Sequence, residues 1–171
     1  MNFTELAKKR FSVRKYSNKT VEEEKLREIL EVSMLAPTAK NQQPQKIYVL
    51  QSEEALNKLD KLTHCRYGAP TVLLFTYDKS EDWKNPMEEG IRSGVEDVSI
   101  VATHIMLKAT ELGLDTTWCN MFANSQLEKE FNLSSDECSV LIMPIGYRAN
   151  DVVPGPMHEQ TKEWDSIVKY L

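Results

Sequence analysis

The chain has 171 residues, 41% of them hydrophobic and 27% charged, with a net charge of −5; these are globular values and exclude a disordered or fibrous chain. That length predicts one domain spanning residues 1–171, and the acidic balance argues against a nucleic-acid partner while allowing a small anion in a local basic pocket. Cys65, Cys119 and Cys138 form no CxxC pair, which disfavours a disulfide framework or a cysteine-rich zinc site and fits a reducing compartment.

Residues 3–9 are expected to form a short helix with Phe3, Leu6 and Ala7 on one face, followed by the basic stretch Lys8 to Tyr16. Thr20-x-x-Glu23 has the form of a capping box. It predicts a helix striped by Leu26, Ile29, Leu30, Ser33 and Met34 and stopped by Pro37. A strand is expected over Lys46 to Gln51, a helix near 53–63, and a second strand over the β-branched run Thr71 to Tyr77. The acidic stretch with Asp82, Glu88 and Glu89 is expected to be solvated. The longest helix is predicted from about Gly90 to Leu112 through Val98, Val101, Ala102, Ile105 and Ala109, with Gly113 in the C-cap position. Asp115 to Met121 predicts a strand, and Ser125-x-x-Glu128 a second capping box opening a short helix. The apolar run in Ser139 to Tyr147 predicts a strand buried on both faces. The tail WDSIVKYL is expected as a short helix or an extended arm. Strands and helices thus mix without a βαβ rhythm, and an α+β sandwich of helices around a mixed sheet is the expected class. The longest apolar runs are four residues and the N-terminus has no apolar core, so no membrane span or secretory leader is expected and a cytoplasmic location is.

No GxxxxGK[ST] and no GxGxxG occurs, so a bound nucleotide would use neither the P-loop nor the dinucleotide fold. Candidate chemistry falls in four places. Lys8, Lys9, Arg10, Arg14 and Lys15 bracket Phe11 and Ser12; five cations so close repel one another, an anion relieves that, and guanidinium groups bind phosphate with paired hydrogen bonds. The same cluster could equally be a solvated helix C-terminus. Pro37, Thr38, Asn41 and Gln43 lie in a loop whose amides offer donor and acceptor faces to a planar heterocycle, or form a plain polar loop. Trp118, Cys119, Asn120 and Met121 end the strand predicted over Asp115 to Met121, with Trp118 expected to pack and not to act in catalysis, and Gly146 at a strand end permits close backbone approach to a ligand. His64 and Cys65 lack a third ligand nearby and are expected to be structural. His104 is expected to flank the core, and His158 to lie in the arm.

Arg10-Phe11-Ser12-Val13-Arg14-Lys15-Tyr16 resembles the RxSxRxF/Y signature of nitroreductase-like flavoproteins. Pro37 to Pro44 resembles that family's PSAxNxQP, Glu96-Asp97 with Ile100 to Ala102 its central ED helix, Leu141 to Tyr147 its LPxGYP strand, and Met157-His158 to Leu171 its C-terminal arm. The resemblance implies a mainly antiparallel mixed sheet flanked by helices, a long central helix, and a C-terminal arm exchanged in a homodimer. It implies FMN as cofactor. Arg10, Ser12 and Arg14 would hold the phosphate, ribityl chain and pyrimidine edge. Pro37, Thr38, Asn41 and Gln43 would come mainly from the other subunit. Trp118 to Met121 would lie near the flavin N5, and Lys162 would meet the phosphate. No side-chain acid or base is demanded, and Arg14 would act electrostatically. NADH or NADPH would reduce the flavin, and a small-molecule electron acceptor such as a nitroaromatic or quinone would reoxidise it in turn. A flavin enzyme of another type (reductive dehalogenation or flavin fragmentation), a non-catalytic flavin-binding or sensing protein, and a domain whose basic cluster docks on an acidic partner are the alternatives. Thr38, Gln45, Arg148 and Glu163 depart from the family's usual Ser, Trp, Pro and Pro, and the segment able to cover the site is short.

Overall fold

The structure, a computed structural model, describes residues 1–171. Six α-helices and four strands follow in the order α1 (Phe3–Lys9), α2 (Glu23–Glu31), β1 (Gln45–Leu50), α3 (Glu53–Asp60), β2 (Thr71–Asp78), α4 (Gly94–Glu111), β3 (Asp115–Thr116), α5 (Asn124–Glu130), β4 (Glu137–Gly146) and α6 (Trp164–Ile167), with short 3-10 turns at Val32–Met34 and Ala39–Asn41. The strands make one sheet in the order β1-β2-β4-β3, antiparallel throughout. The expected α+β class therefore holds, with the long helix in place.

Side chains on a strand alternate between faces, and both faces here are covered. Leu73 and Phe75 of β2 and Leu141, Met143 and Ile145 of β4 pack with Val98, Val101, Ala102, Ile105 and Ala109 of α4 and with Leu26 and Ile29 of α2. The alternate residues Val72, Leu74 and Ile142 pack on the opposite side with Leu59 of α3 and Leu127 of α5. Helices on both sides explain why β2 and β4 carry continuous apolar runs. α4 reaches the sheet closely because residue 94 is glycine: a Cβ there would fall 2.3 Å from the Tyr77 ring.

Several local expectations need correction. The Thr20–Glu23 box does not form, because α2 starts at Glu23 and the N-cap position falls on Glu22, two residues past Thr20, with no side-chain cap; Glu22 itself accepts from the Tyr147 hydroxyl at 2.5 Å and pairs with Lys19 at 3.1 Å. The Ser125–Glu128 box also fails, since Glu128 accepts hydrogen bonds from the backbone N–H and hydroxyl of Ser139 at 2.8 and 2.9 Å. A real box lies at Asn2–Glu5 on α1, where each side chain accepts from the other's backbone N–H, at 3.0 and 2.9 Å. The strand expected through Met121 stops at Thr116 apart from a single bridge of Cys119 to Ile142. Pro144 stands opposite: its carbonyl accepts from Thr117 N–H at 3.3 Å, but it has no N–H to return, and the ladder breaks. The long helix begins at Gly94, not Gly90, because residues 83–93 fold back as a hairpin with Lys84 bridged to Arg92. Asp82 is not solvated but 3% exposed, gripped by Arg92 through Nε at 2.9 Å and a terminal nitrogen at 2.5 Å. No helix is long and apolar enough to cross a membrane.

Candidate functional site

The basic stretch after α1 is extended, not helical. Ser12 forms a parallel bridge with Thr116 and Val13 N–H donates to the Thr116 carbonyl at 3.2 Å, so this segment continues the sheet beyond β3. Extended backbone alternates its side chains. Phe11 and Val13 turn inward, at 7% and 0% exposure, and the period of two then sends Arg10, Ser12 and Arg14 together to the other side. Tyr16 anchors the far end: its hydroxyl lies 3.2 Å from both Thr117 Oγ1 and the Pro144 carbonyl, and burial pushes its pKa well up. The Thr117 hydroxyl in turn donates to the Val13 carbonyl. Gly146 allows this packing, since a Cβ would stand 3.4 Å from both the Tyr16 ring and Pro70.

Arg148 explains itself here. Its guanidinium holds Asp115 at 2.9 and 2.7 Å, its backbone N–H donates to the same carboxylate at 3.1 Å, and it lies 4.4 Å over the Phe11 ring. Proline, usual at this position in the resemblance above, could make none of these hydrogen bonds. The pair clamps β3 to the end of β4 beneath the basic segment.

Arg10, Phe11, Ser12 and Arg14 form one wall of a cleft of about 280 Å³, and Gly155, Pro156, Met157 and His158 the other. His158 Nε2 is 2.9 Å from the Lys8 carbonyl; a carbonyl only accepts, so this nitrogen carries the hydrogen. No acidic side chain lines the cleft. The chain has six arginines. Arg27, Arg66, Arg92 and Arg148 are each paired with a carboxylate, and the two without an acidic partner are Arg10 and Arg14. Two free guanidiniums and a hydroxyl facing an acid-free cleft, in an acidic protein, are a donor set suited to a phosphate dianion. The residues present therefore fit FMN at its phosphate end.

Pro37, Thr38, Asn41 and Gln43 lie elsewhere. Their loop between α2 and β1 contains three of the five non-glycine residues with positive φ, Lys40, Asn41 and Gln43, at 52°, 57° and 51°. Each such residue costs about 1 kcal/mol or more. Gln43 N–H donates to Thr38 Oγ1 at 3.1 Å, Gln43 Nε2 to the Asn41 carbonyl at 3.3 Å, and Ala39 N–H to Asp97 Oδ1 at 2.8 Å. The loop thus sits by the first turn of α4. Lys9, next to the cation cleft, instead shares a depression with Thr110 and Gly113 at the far end of α4. Thirteen residues of helix separate the two ends, about 20 Å.

Trp118 Nε1 donates to Asn120 Oδ1 at 2.6 Å and Asn120 Nδ2 to the Val140 carbonyl at 2.7 Å. Cys119 is turned into the second core, its backbone bonded both ways to Ile142; burial, then Cys65, pushes its thiol up to about 12. Tyr67 beside it is also raised to about 12, by burial and its Cys65 contact. Met121 is exposed, and Lys162 lies in the exposed arm beyond the cleft. His104 is half-buried on α4, and its Nδ1 is 2.8 Å from the Ile100 carbonyl. The expected arm already brings Met157 and His158 toward the site, and the structure puts them on the cleft wall with Gly155 and Pro156; the Asp115–Arg148 pairing and the Asp97–Ala39 bond are not legible in the sequence. For Asp97 the signal is its place in the ED pair, in the first turns of a helix whose buried stripe is apolar.

The Nitroreductase family model matches residues 7–67 and 66–147. A nitroreductase family protein of Clostridium difficile 630 is 40% identical, with 99% of this chain and 98% of that one covered and a TM-score of 0.93. An FMN-dependent nitroreductase of Clostridium difficile R20291 is 28% identical over 96% of each chain, with a TM-score of 0.76. A Methanothermobacter thermautotrophicus protein named "Putative NADH dehydrogenase/NAD(P)H nitroreductase" is 28% identical over 160 residues, 88% of this chain and 80% of that protein. Family match, fold and cleft agree, and the chain belongs to the nitroreductase family of oxidoreductases.

Proposed function

We propose that this protein is a cytoplasmic, single-domain, homodimeric FMN-dependent NAD(P)H oxidoreductase that reduces small acceptors such as nitroaromatics or quinones. The observation that carries the reading is the pair of unpaired arginines, Arg10 and Arg14, beside Ser12 in an acid-free cleft. A relative described as FMN-dependent supports the cofactor, and one named for NAD(P)H supports the reductant. FMN when bound supplies hydride-transfer chemistry; the protein supplies position and electrostatics. Arg10 and Ser12 bind the phosphate and ribityl end. Arg14 places positive charge along the ligand toward its pyrimidine edge and favours the electron-rich, reduced ring. Met157 and His158 close the cleft from the arm, Lys162 adds a further cation toward the phosphate, and backbone from Trp118 to Met121 borders the ring.

The loop with Pro37, Thr38, Asn41 and Gln43 lies by the start of α4 and the cation cleft near its end, about 20 Å of helix apart, which favours its meeting the ligand of another copy over that of its own chain. A second copy brings it there. The exposed apolar residues suit that assembly: Leu35 beside the loop is 78% exposed, and Trp164 and Ile167 of the arm are 65% exposed each, surface that burial against a twin subunit or exchange of arms would remove from water. Purified protein should show the visible absorption of oxidised flavin and lose it on anaerobic addition of NADH or NADPH. A protein that binds FMN but turns over no nicotinamide would instead be a flavin-binding or sensing protein, and one that binds no flavin would refute the reading.

A further inference from the structure

We propose that Asp97 is a positioning residue which holds the Thr38–Gln43 loop in its ligand-ready shape and ties it to the hairpin over residues 83–93, a role that rests on the flavin reading above. Asp97 is 2% exposed, yet no lysine, arginine or histidine pairs with it among the ion pairs of the chain. A buried carboxylate must be satisfied by hydrogen bonds, and this one spends its two oxygens on two different pieces of chain. Oδ1 accepts from Ala39 N–H at 2.8 Å and Oδ2 from the Ser93 hydroxyl at 2.7 Å. Ser93 Oγ in turn accepts from Trp83 N–H at 3.1 Å. The result is a continuous chain of donors and acceptors from the hairpin, through the start of α4, to the loop.

The loop needs such a holder. Lys40, Asn41 and Gln43 sit in the left-handed region, where chains without glycine do not stay unless their surroundings over-determine them. Inside the loop the ties are all local: Asn41 N–H to the Thr38 carbonyl at 2.9 Å, Gln42 N–H to the Ala39 carbonyl at 3.1 Å, Gln43 N–H to Thr38 Oγ1 at 3.1 Å and the Gln43 amide to the Asn41 carbonyl at 3.3 Å; they shape the loop but do not anchor it to the rest of the fold. The Asp97 bond to Ala39 is the shortest that fixes its backbone from outside. Asp97 is also placed to be tolerated as an anion, in the first turns of an α-helix whose dipole favours negative charge.

The test compares Asp97→Ala and Asp97→Asn with wild type, measuring FMN and riboflavin affinity by flavin fluorescence, amide exchange of Ala39 and Gln43, and thermal stability. Asp97→Ala should weaken both flavins about tenfold or more, the loss expected when a hydrogen bond to a charged group disappears, because the loop meets the ring and not the phosphate. Exchange at Ala39 and Gln43 should quicken while β2 and β4 stay protected. Asp97→Asn, whose amide oxygen can still accept from Ala39, should recover part of the affinity. Combining Asp97→Ala with Asn41→Ala should cost less than the two losses added, since both act through one loop. A Leu127→Ala control, in the other core, should lower stability without shifting flavin affinity. If both Asp97 variants bind flavin as wild type does while Arg10→Ala binds it poorly, the positioning role is overturned and the flavin reading stands. If Asp97→Ala and Leu127→Ala weaken flavin alike, Asp97 is only structural and the role is overturned. If the wild-type chain binds no flavin, both readings fall.

Discussion

Replacing Arg10 by alanine separates binding from folding. The Arg10 guanidinium has no partner within the chain, and its backbone N–H cap to Leu6 at 3.1 Å does not depend on the side chain. Its removal orphans nothing, so unfolding free energy should shift by no more than about 0.5 kcal/mol. FMN affinity should fall by about 2–3 kcal/mol, the value of a charge-assisted hydrogen bond at the strong end, which is about 30- to 150-fold in Kd. Riboflavin, with no phosphate, should lose little. The assay is quenching of flavin fluorescence on titration with apo-protein, beside urea unfolding of the same preparations. Added salt should narrow the gap between wild type and variant for FMN and leave riboflavin unmoved, because screening acts on the charged partner. Equal losses for FMN and riboflavin, or a large loss of stability, would refute the assignment of Arg10 to phosphate.

Arg148→Ala should behave in the opposite way, costing about 2–3 kcal/mol of stability by urea unfolding, because Asp115 is left buried and unpaired; the figure sits below that of a fully buried pair since the Arg148 side chain is 35% exposed. Mixing Arg10→Ala with Asn41→Ala subunits should restore activity that neither homodimer has, because each mixed dimer regains one intact site; no recovery after subunit exchange, followed by light scattering, would speak against a site shared between copies. The Tyr147 hydroxyl bond, then backbone and Lys19 contacts, hold the Glu22 carboxyl down at about 2. Its contribution to stability is therefore present above the ordinary glutamate value of 4.5 and is lost as pH falls toward about 2; Tyr147→Phe should raise the Glu22 pKa in an NMR titration. Thiol labelling near neutral pH should reach Cys138 well before Cys119, whose raised pKa and burial keep it protonated and enclosed.

Much of the fold is written locally. The apolar periodicity of Val98 to Ala109 and the β-branched runs of β2 and β4 need only the periods of helix and strand, and those elements stand where the sequence places them. Motif order likewise marks Arg10, Ser12 and Arg14 and the Thr38–Gln43 loop as the residues to watch. What the sequence cannot carry is which partner a polar side chain finds. Thr20 and Ser125 have capping spacing, yet α2 takes its N-cap at Glu22, and Ser139, about a dozen residues away, claims the glutamate of the second box. Pro144 ends the pairing of β3 across the sheet, an effect invisible until the register is known. The five cations read as one cluster divide only in the structure: Lys15 pairs with Asp151, Phe11 and Val13 turn inward and leave Arg10 and Arg14 on the other side, and every arginine but these two is paired with an acid. That division depends on long-range contacts, because a charge is available to a ligand only when folding has brought no opposite charge to meet it.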